Sequence, residues 1–447
     1  MPKLIRDTVH GDISFTDDEM SIIDTAPMQR LRGIKQLGTS YLVYPCAVHT
    51  RFEHSLGTCH VAKRIVESIE ENSGRRIRIE DRDRRVIYSA ALLHDITHIP
   101  FGHTFEDERR IFERHDQSRE RLECFLDHSP IAEVLSKSGI YRSVRAVLSK
   151  AQSSELEHPF IHQIVSGTVC ADLLDYLKRD ALFCGLSQSY DNRVFKYFTI
   201  TDDNLAFDLN KNGLFRHDAL SELINLLRIR YNLTERVYYH HAKIVAGAMI
   251  SKALELALTE KKVQPQDLFE LRDDSFIYFL KARCRSLRPV VSLLENLERR
   301  WLYKRIYFLT LGNMSRPGIS KEKQAELEKL YHYNEDEARS KAEVEIARRL
   351  KIPEGSVIIY CPSTEMALKE AEVLVRISDG APRSLKDLNN PEVNVLIDKH
   401  RSLWRFYVCI SLQYEDRFRK AEQICEEIFG QENMIDLQAR GQLSLGF

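Results

Sequence analysis

The 447-residue sequence has no long apolar run; the longest, Ile244 to Ile250, falls well short of the ~20 residues that cross a bilayer. No membrane partner is expected. The opening MPKLIRDTVHGDISF has no apolar signal core. The nine cysteines are odd in number and no pair has CxxC spacing. That argues against a disulfide framework or a thiolate zinc site, and for a reducing, cytoplasmic setting. The formal net charge is -1, which excludes a whole-chain drive toward nucleic acid or anionic lipid and leaves only local patches. Internal repeats and low-complexity segments are absent.

What is present is ordinary globular composition, 29% charged and 43% hydrophobic, in a chain long enough for two or three domains. The most informative stretch is Tyr88 to Glu106, YSAALLHDITHIPFGHTFE. An apolar helix runs into His94-Asp95. His98 follows one turn later, Pro100 and Gly102 break the helix, and His103 comes next. Imidazoles and carboxylates without thiolate suit Fe, Mn, Mg, Zn or Ni. A His-Asp pair directly after an apolar run is costly to bury unless something pairs with it.

Helical spacing predicts a helix over 20–37 whose Arg30, Arg32 and Lys35 form a solvated basic face. It predicts an amphipathic helix after His54. Residues 107–150 read as further helices and include His115, and 161–186 as a helix. There Asp172, Tyr176 and Asp180 share one stripe, flanked by Asp175 and Arg179, while Leu173, Leu174 and Leu177 face a core. Residues 195–215 carry short strand and turn signals. A long helix over 218–258 places Arg230, Thr234, Tyr238 and His241 near one face. Residues 265–345 read as helical. Strands are expected at 357–360 and 403–409, a helix or strand at 366–375, and a charged helix at 414–429. His54, His94, Asp95 and Asp172 thus come from separate helices, a bundle-core way to build a metal site. Arg51 and Arg230 suit phosphate oxygens. Water activation beside cationic clamps describes phosphate-ester hydrolysis.

At this point the chain resembles the HD-domain phosphohydrolases, and within them the branch of the SAM-and-HD-domain dNTP triphosphohydrolases and their bacterial relatives. The matching stretches are 22–45, HTRFEHSLG (49–57), LLHDITHIPFGHTFED (92–107), ADLLDYLKRD (171–180) and 230–243, roughly the first 250 residues. The resemblance implies His54, His94, Asp95 and Asp172 as ligands of a divalent metal. It implies His103 as proton donor to the leaving 5′ oxygen, supported by Glu106 and His115. Arg51, His98, Tyr176 and Arg230 would meet the triphosphate, Gln36 and Asp180 the 3′-hydroxyl, and Tyr238 the sugar. Lys3, Asp24, Gln29 and Arg32 match an allosteric guanine-nucleotide site that drives oligomer assembly, so a homo-oligomer, dimer or tetramer, is implied. The pattern departs from the family at Arg6, Glu106, Leu173, Thr234 and Tyr239. Leu173 stands where the animal enzyme has a phosphate-binding lysine.

The expected architecture is mainly α: an all-helical HD core over 1–255, a helical extension over 256–345 and a small α/β lobe over 346–447. The leading functional expectation is metal-dependent hydrolysis of deoxynucleoside triphosphates. Two others stay open. One is an HD phosphodiesterase or nuclease, suggested by the basic-aromatic run Arg299 to Arg305. The other is a nucleotide-sensing regulator with little turnover.

Overall fold

The computed structural model describes residues 2–149, 158–313, 316–363, 368–377 and 381–435. It is mainly α, with small sheets at the N-terminus, beside the helical core and in the C-terminal lobe. A hairpin of β1 (Lys3–Asp7) and β2 (Gly11–Phe15) opens the chain. The helix expected over 20–37 is two pieces, α1 (Asp17–Ile23) and α2 (Ala26–Arg30), parted at Asp24-Thr25. Pro27 explains the break, because inside a continuous helix its ring would collide with the Ile23 carbonyl. The basic face is not simply solvated: Arg30 is buried and donates to the carbonyls of Ile96 and His98.

Helix α3 (Arg51–Asn72) starts with a capping box of Thr50 and Glu53 and buries Phe52, Leu56, Val66 and Ile69. It packs against α4 (Asp81–Leu93), whose last turn is buried on all sides. Two more of the expected helices are broken. The 161–186 segment stops at Ser166 and restarts as α5 (Ala171–Phe183). A side chain at Gly167 would lie 2.4 Å from the Gln163 carbonyl oxygen. Short strands follow, β3 (Phe198–Thr201) and β4 (Asn204–Asp208). The 218–258 helix is α6 (His217–Leu233), a π turn over Thr234–Tyr238, and α7 (His241–Thr259). The Thr234 hydroxyl donates back to the Arg230 carbonyl and the His240 ring accepts the Ala242 amide, so helix hydrogen bonds are replaced there. His241 therefore falls beyond the break, stacked on His240.

The segment expected to be wholly helical, 265–345, supplies β5 (Lys304–Thr310). It is an edge of an antiparallel sheet with β6 (Val357–Tyr360), across the central Arg405–Ile410 strand. Period-two alternation gives this sheet two buried faces. Ile358, Tyr360, Tyr407 and Cys409 join the main core. Val357, Ile359, Phe406, Val408 and Ile410 join a second core with Ile306, Ile346, Ile424 and Phe429. A further strand, β7 (Leu374–Arg376), runs parallel to β4 and adds the C-terminal chain to the core's own sheet. Of the 366–375 expectation, 366–367 lie outside the described residues.

Candidate metal centre and its surroundings

Helix α4 ends at Leu93, well before Pro100, and His94 caps it. Two tight turns follow, with Ile96 N–H donating to Leu93 O and His98 N–H to Asp95 O. Pro100 is therefore not what ends the helix. The reversal after it is carried by Phe101 and Gly102, both at positive φ (58° and 43°). Arg30 holds the carbonyls of this loop from below.

The four expected ligands converge. His54 Nε2 is 3.1 Å from His94 Nε2 and 3.0 Å from Asp172 Oδ1. His94 Nε2 is 3.6 Å from Asp95 Oδ1 and 3.7 Å from Asp172 Oδ1. The tautomers are set from outside. His94 Nδ1–H donates to the Ala91 carbonyl and His54 Nδ1–H to Asp175 Oδ2. Both Nε2 lone pairs thus point at each other and at two carboxylates. Such a set is repulsive unless a positive charge sits within it. Adjacent ligands about 2.1 Å from one ion lie roughly 3 Å apart, which matches the observed spacing. Burial opposes charging His54, yet Asp172 and Asp175 raise its pKa to about 10, the same demand for positive charge. The Asp172 side chain is 33% exposed while those of His54, His94 and Asp95 are 7% or less, so the centre opens on the Asp172 side. The residues fit a divalent cation.

The supports beyond the ligands are extensive. Asp175 accepts from His10, His54 and Arg179 at 2.7 to 2.9 Å, and Arg179 also donates to Asp7. A side chain at Gly57 would lie 1.9 Å from Asp175 Oδ1, so only glycine lets α5 approach α3 this closely. Asp175 and Arg179 are not the simple flanks their helix positions suggested. Their i+3 and i+7 offsets from Asp172 were the available signal.

Beside the ligands, Arg51 donates to Asp95 Oδ2 at 2.7 Å and is buried. It is therefore engaged by an expected metal ligand, where a phosphate contact had been expected. The His98 ring stacks on His115 at 3.6 Å, and His103 lies edge-on to both. Nitrogens of these three also come close enough to share a cation. His98 Nδ1 has no hydrogen-bond partner among the described residues. His103 Nδ1 is 3.4 Å from Glu106 and 3.3 Å from Asp107. Burial lowers its pKa, but those two carboxylates outweigh it and lift the value to about 9. Burial would raise the Glu106 carboxyl, whereas His103 and His115 hold it well below the usual range. Arg121, which sequence reading missed, donates to Glu106 at 2.7 Å.

The remaining expected contacts form one wall. Tyr238 O–H donates to Asp180 Oδ2 at 2.6 Å, and His49 donates to Asp180 Oδ1 at 2.9 Å. His49 had not been singled out. Gln36 Oε1 is a buried acceptor with no partner among the described residues. Arg230 lies over the rings of Tyr176 and Tyr238. Farther off, Arg32 donates to Gln29 Oε1 and covers the Phe52 ring, while Asp24 and Lys3 are exposed. The run 299–305 is dispersed. Tyr303 is buried with its O–H on the Gly355 carbonyl, Arg305 covers Tyr407, and Trp301 is exposed beside Arg299.

Comparison with known proteins places this geometry. The HD domain matches residues 51–180 and the HD associated region matches 216–433. An uncharacterized protein of Methanocaldococcus jannaschii is 33% identical over 309 residues, covering 68% of this chain and 59% of that protein. The deoxynucleoside triphosphate triphosphohydrolase SAMHD1 homolog of Dictyostelium discoideum is 30% identical over 317 residues, with the same coverages. SAMHD1 of Bos taurus is 27% identical over 394 residues, covering 78% of this chain and 64% of the bovine protein. The chain thus spans less than two thirds of the length of these relatives. In fold, a protein from Aquifex aeolicus superposes with a TM-score of 0.67 at 22% identity, over 94% of this chain and all of that one. A phosphohydrolase from Bacteroides thetaiotaomicron gives 0.65 at 22% identity, over 92% and 100%. The chain belongs to the HD-domain phosphohydrolase family, with deoxynucleoside triphosphate triphosphohydrolases among its relatives.

Proposed function

We propose that this protein hydrolyses deoxynucleoside triphosphates to deoxynucleoside and inorganic triphosphate, with a divalent metal held by His54, His94, Asp95 and Asp172. The observation that carries the reading is the pair of imidazole lone pairs converging with two carboxylates beside a wall made by Asp180, Tyr238, Tyr176 and Arg230. A divalent cation there would supply Lewis acidity and water of lowered pKa. Water adds to the α-phosphorus, releasing a proton to solvent, as the bond to the 5′ oxygen breaks. His103, charged at neutral pH, gives its proton to that oxygen, and Glu106 and His115 keep the donor in place. Asp180 and Gln36 offer acceptors suited to a 3′-hydroxyl, with Tyr238 against the sugar. Arg51, His98 and Arg230 answer the phosphates.

Lys3, Asp24, Gln29 and Arg32 belong to this proposal as a nucleotide-activator site, and a homo-oligomer in the cytoplasm is part of it. Nine free cysteines agree with a reducing compartment. No helix among the described residues is long and apolar enough to cross a membrane. The test is a panel of dNTPs, singly and in pairs, with Mn, Mg or Fe and detection of inorganic triphosphate. Pairs matter because activator and substrate can differ. Release from at least one dNTP, abolished by Asp95→Ala, is expected. No release from any dNTP, with cleavage of another phosphate ester, overturns the reading.

A further inference from the structure

Residues 368–376 belong to the C-terminal part of the chain, yet they return to the rim of the metal centre. Leu368, Ala371 and Val373 are buried in the main core, and Val375 pairs with Phe207 on β4. These anchors fix the short turn Lys369–Glu372. The turn carries Glu370 inward, where it is only 7% exposed. Glu370 Oε1 accepts from Arg230 Nε at 3.2 Å.

Arg230 is held on its other sides by rings, 5.3 Å from Tyr176 and 5.0 Å from Tyr238. The Tyr176 ring in turn lies 6.4 Å from that of His54. Arg230 is thus the cation at the far end of a path that leaves the metal centre past Tyr176. Its charge is already matched by a carboxylate of the chain itself. Other cations around the centre are committed too, Arg51 to Asp95 and His103 to Glu106 and Asp107. A polyanion laid along this path must compete with Glu370 for the guanidinium. Its distal charge also approaches a buried carboxylate, where low dielectric makes like charges costly. An anion short enough to stay at the metal end meets neither penalty.

We propose that Glu370 is a specificity-determining residue that limits how much negative charge the site accepts, weakening ligands with enough phosphates to reach Arg230 and sparing those with one. The proposal rests on the reading of Arg230 as a phosphate contact. It is tested by binding rather than turnover, on the whole chain, with inorganic phosphate and inorganic tripolyphosphate as probes. Glu370→Gln keeps the size of the side chain and removes its charge. Calorimetric titration should show tripolyphosphate binding about tenfold tighter in this variant. Phosphate binding should change less than about twofold. Glu370→Ala should move in the same direction, and adding Arg230→Gln should remove the gain.

Unchanged, weaker or undetectable tripolyphosphate binding by Glu370→Gln overturns the proposal, as does an equal gain for both anions. The two readings fail separately. A wild-type protein that cleaves no dNTP, with the tripolyphosphate gain present, overturns the proposed reaction alone. Cleavage of a dNTP without that gain overturns only the role of Glu370.

Discussion

His103 carries a readable pH signature. Its pKa of about 9 means that this proposed proton donor is charged throughout the neutral range. A required donor is lost as pH rises through its pKa, so kcat should fall above about pH 9. His103→Ala should remove that alkaline limb and cost roughly 10²–10⁴ in rate; a kcat profile from pH 6 to 10 checks both. Asp175 makes a different prediction. It lies behind the site, where it accepts from His54 Nδ1 and so turns Nε2 toward the proposed metal. Asp175→Ala should weaken metal affinity about 10–100-fold, read by titration with Mn under chelator competition. The two residues differed in how readable they were. His103 stood out because imidazoles crowd one short stretch. Asp175 looked like a neighbour of Asp172, and its role exists only because Gly57 admits it to α3. Arg30 was hidden similarly: an arginine at helical spacing reads as surface until the loop carbonyls it holds are in place.

Between elements, a buried polar junction joins the turn after His103 to the helix Ala338–Leu350. Arg109 donates to Glu343 at 2.8 Å and to Glu255 at 2.5 Å. Lys252 donates to Glu343 and Arg339 to Glu255. Glu343 Oε1 also accepts the Ile359 amide, which ties β6 to the same knot. Removing one partner strands buried charge, so Glu343→Ala should cost about 3–5 kcal/mol, measured by denaturant unfolding. Burial would raise both glutamates, but Arg109 outweighs it in each and Lys252 adds to this, leaving them below the ordinary value of 4.5. Lowered carboxylate values stabilise the fold above that value and lose the contribution as pH falls through it. Thermal midpoints should therefore drop below about pH 4.5, and less steeply in Glu343→Ala. Helical periodicity foretold most elements here but not their interruptions. The break at Asp24 follows from Pro27 and that at His240 from local hydrogen-bond substitutes, neither of which a periodic pattern registers.

Across the whole molecule, the two-faced sheet ties both cores together. Ile358 and Tyr360 serve the main core while Val357 and Ile359 serve the other. A chain truncated after residue 302 should therefore be insoluble, and the intact chain should unfold in one calorimetric transition rather than two. The helical class was legible because long amphipathic segments dominate the first 250 residues. The lobe was less so, since β5 is an edge strand whose one partner, Arg405–Ile410, lies far along the chain. That distance also bears on synthesis. Arg376 meets Asp208 across 168 positions, beside the pairing of β7 with β4. At roughly 5–20 residues per second, a ribosome needs about ten to thirty seconds between emitting β4 and emitting its partner. Throughout that interval β4 offers a bare edge to whatever strand is nearest. The nascent chain is most exposed to mispairing just after the four proposed metal ligands have emerged, and a chaperone that shields β4 would raise the yield of folded protein.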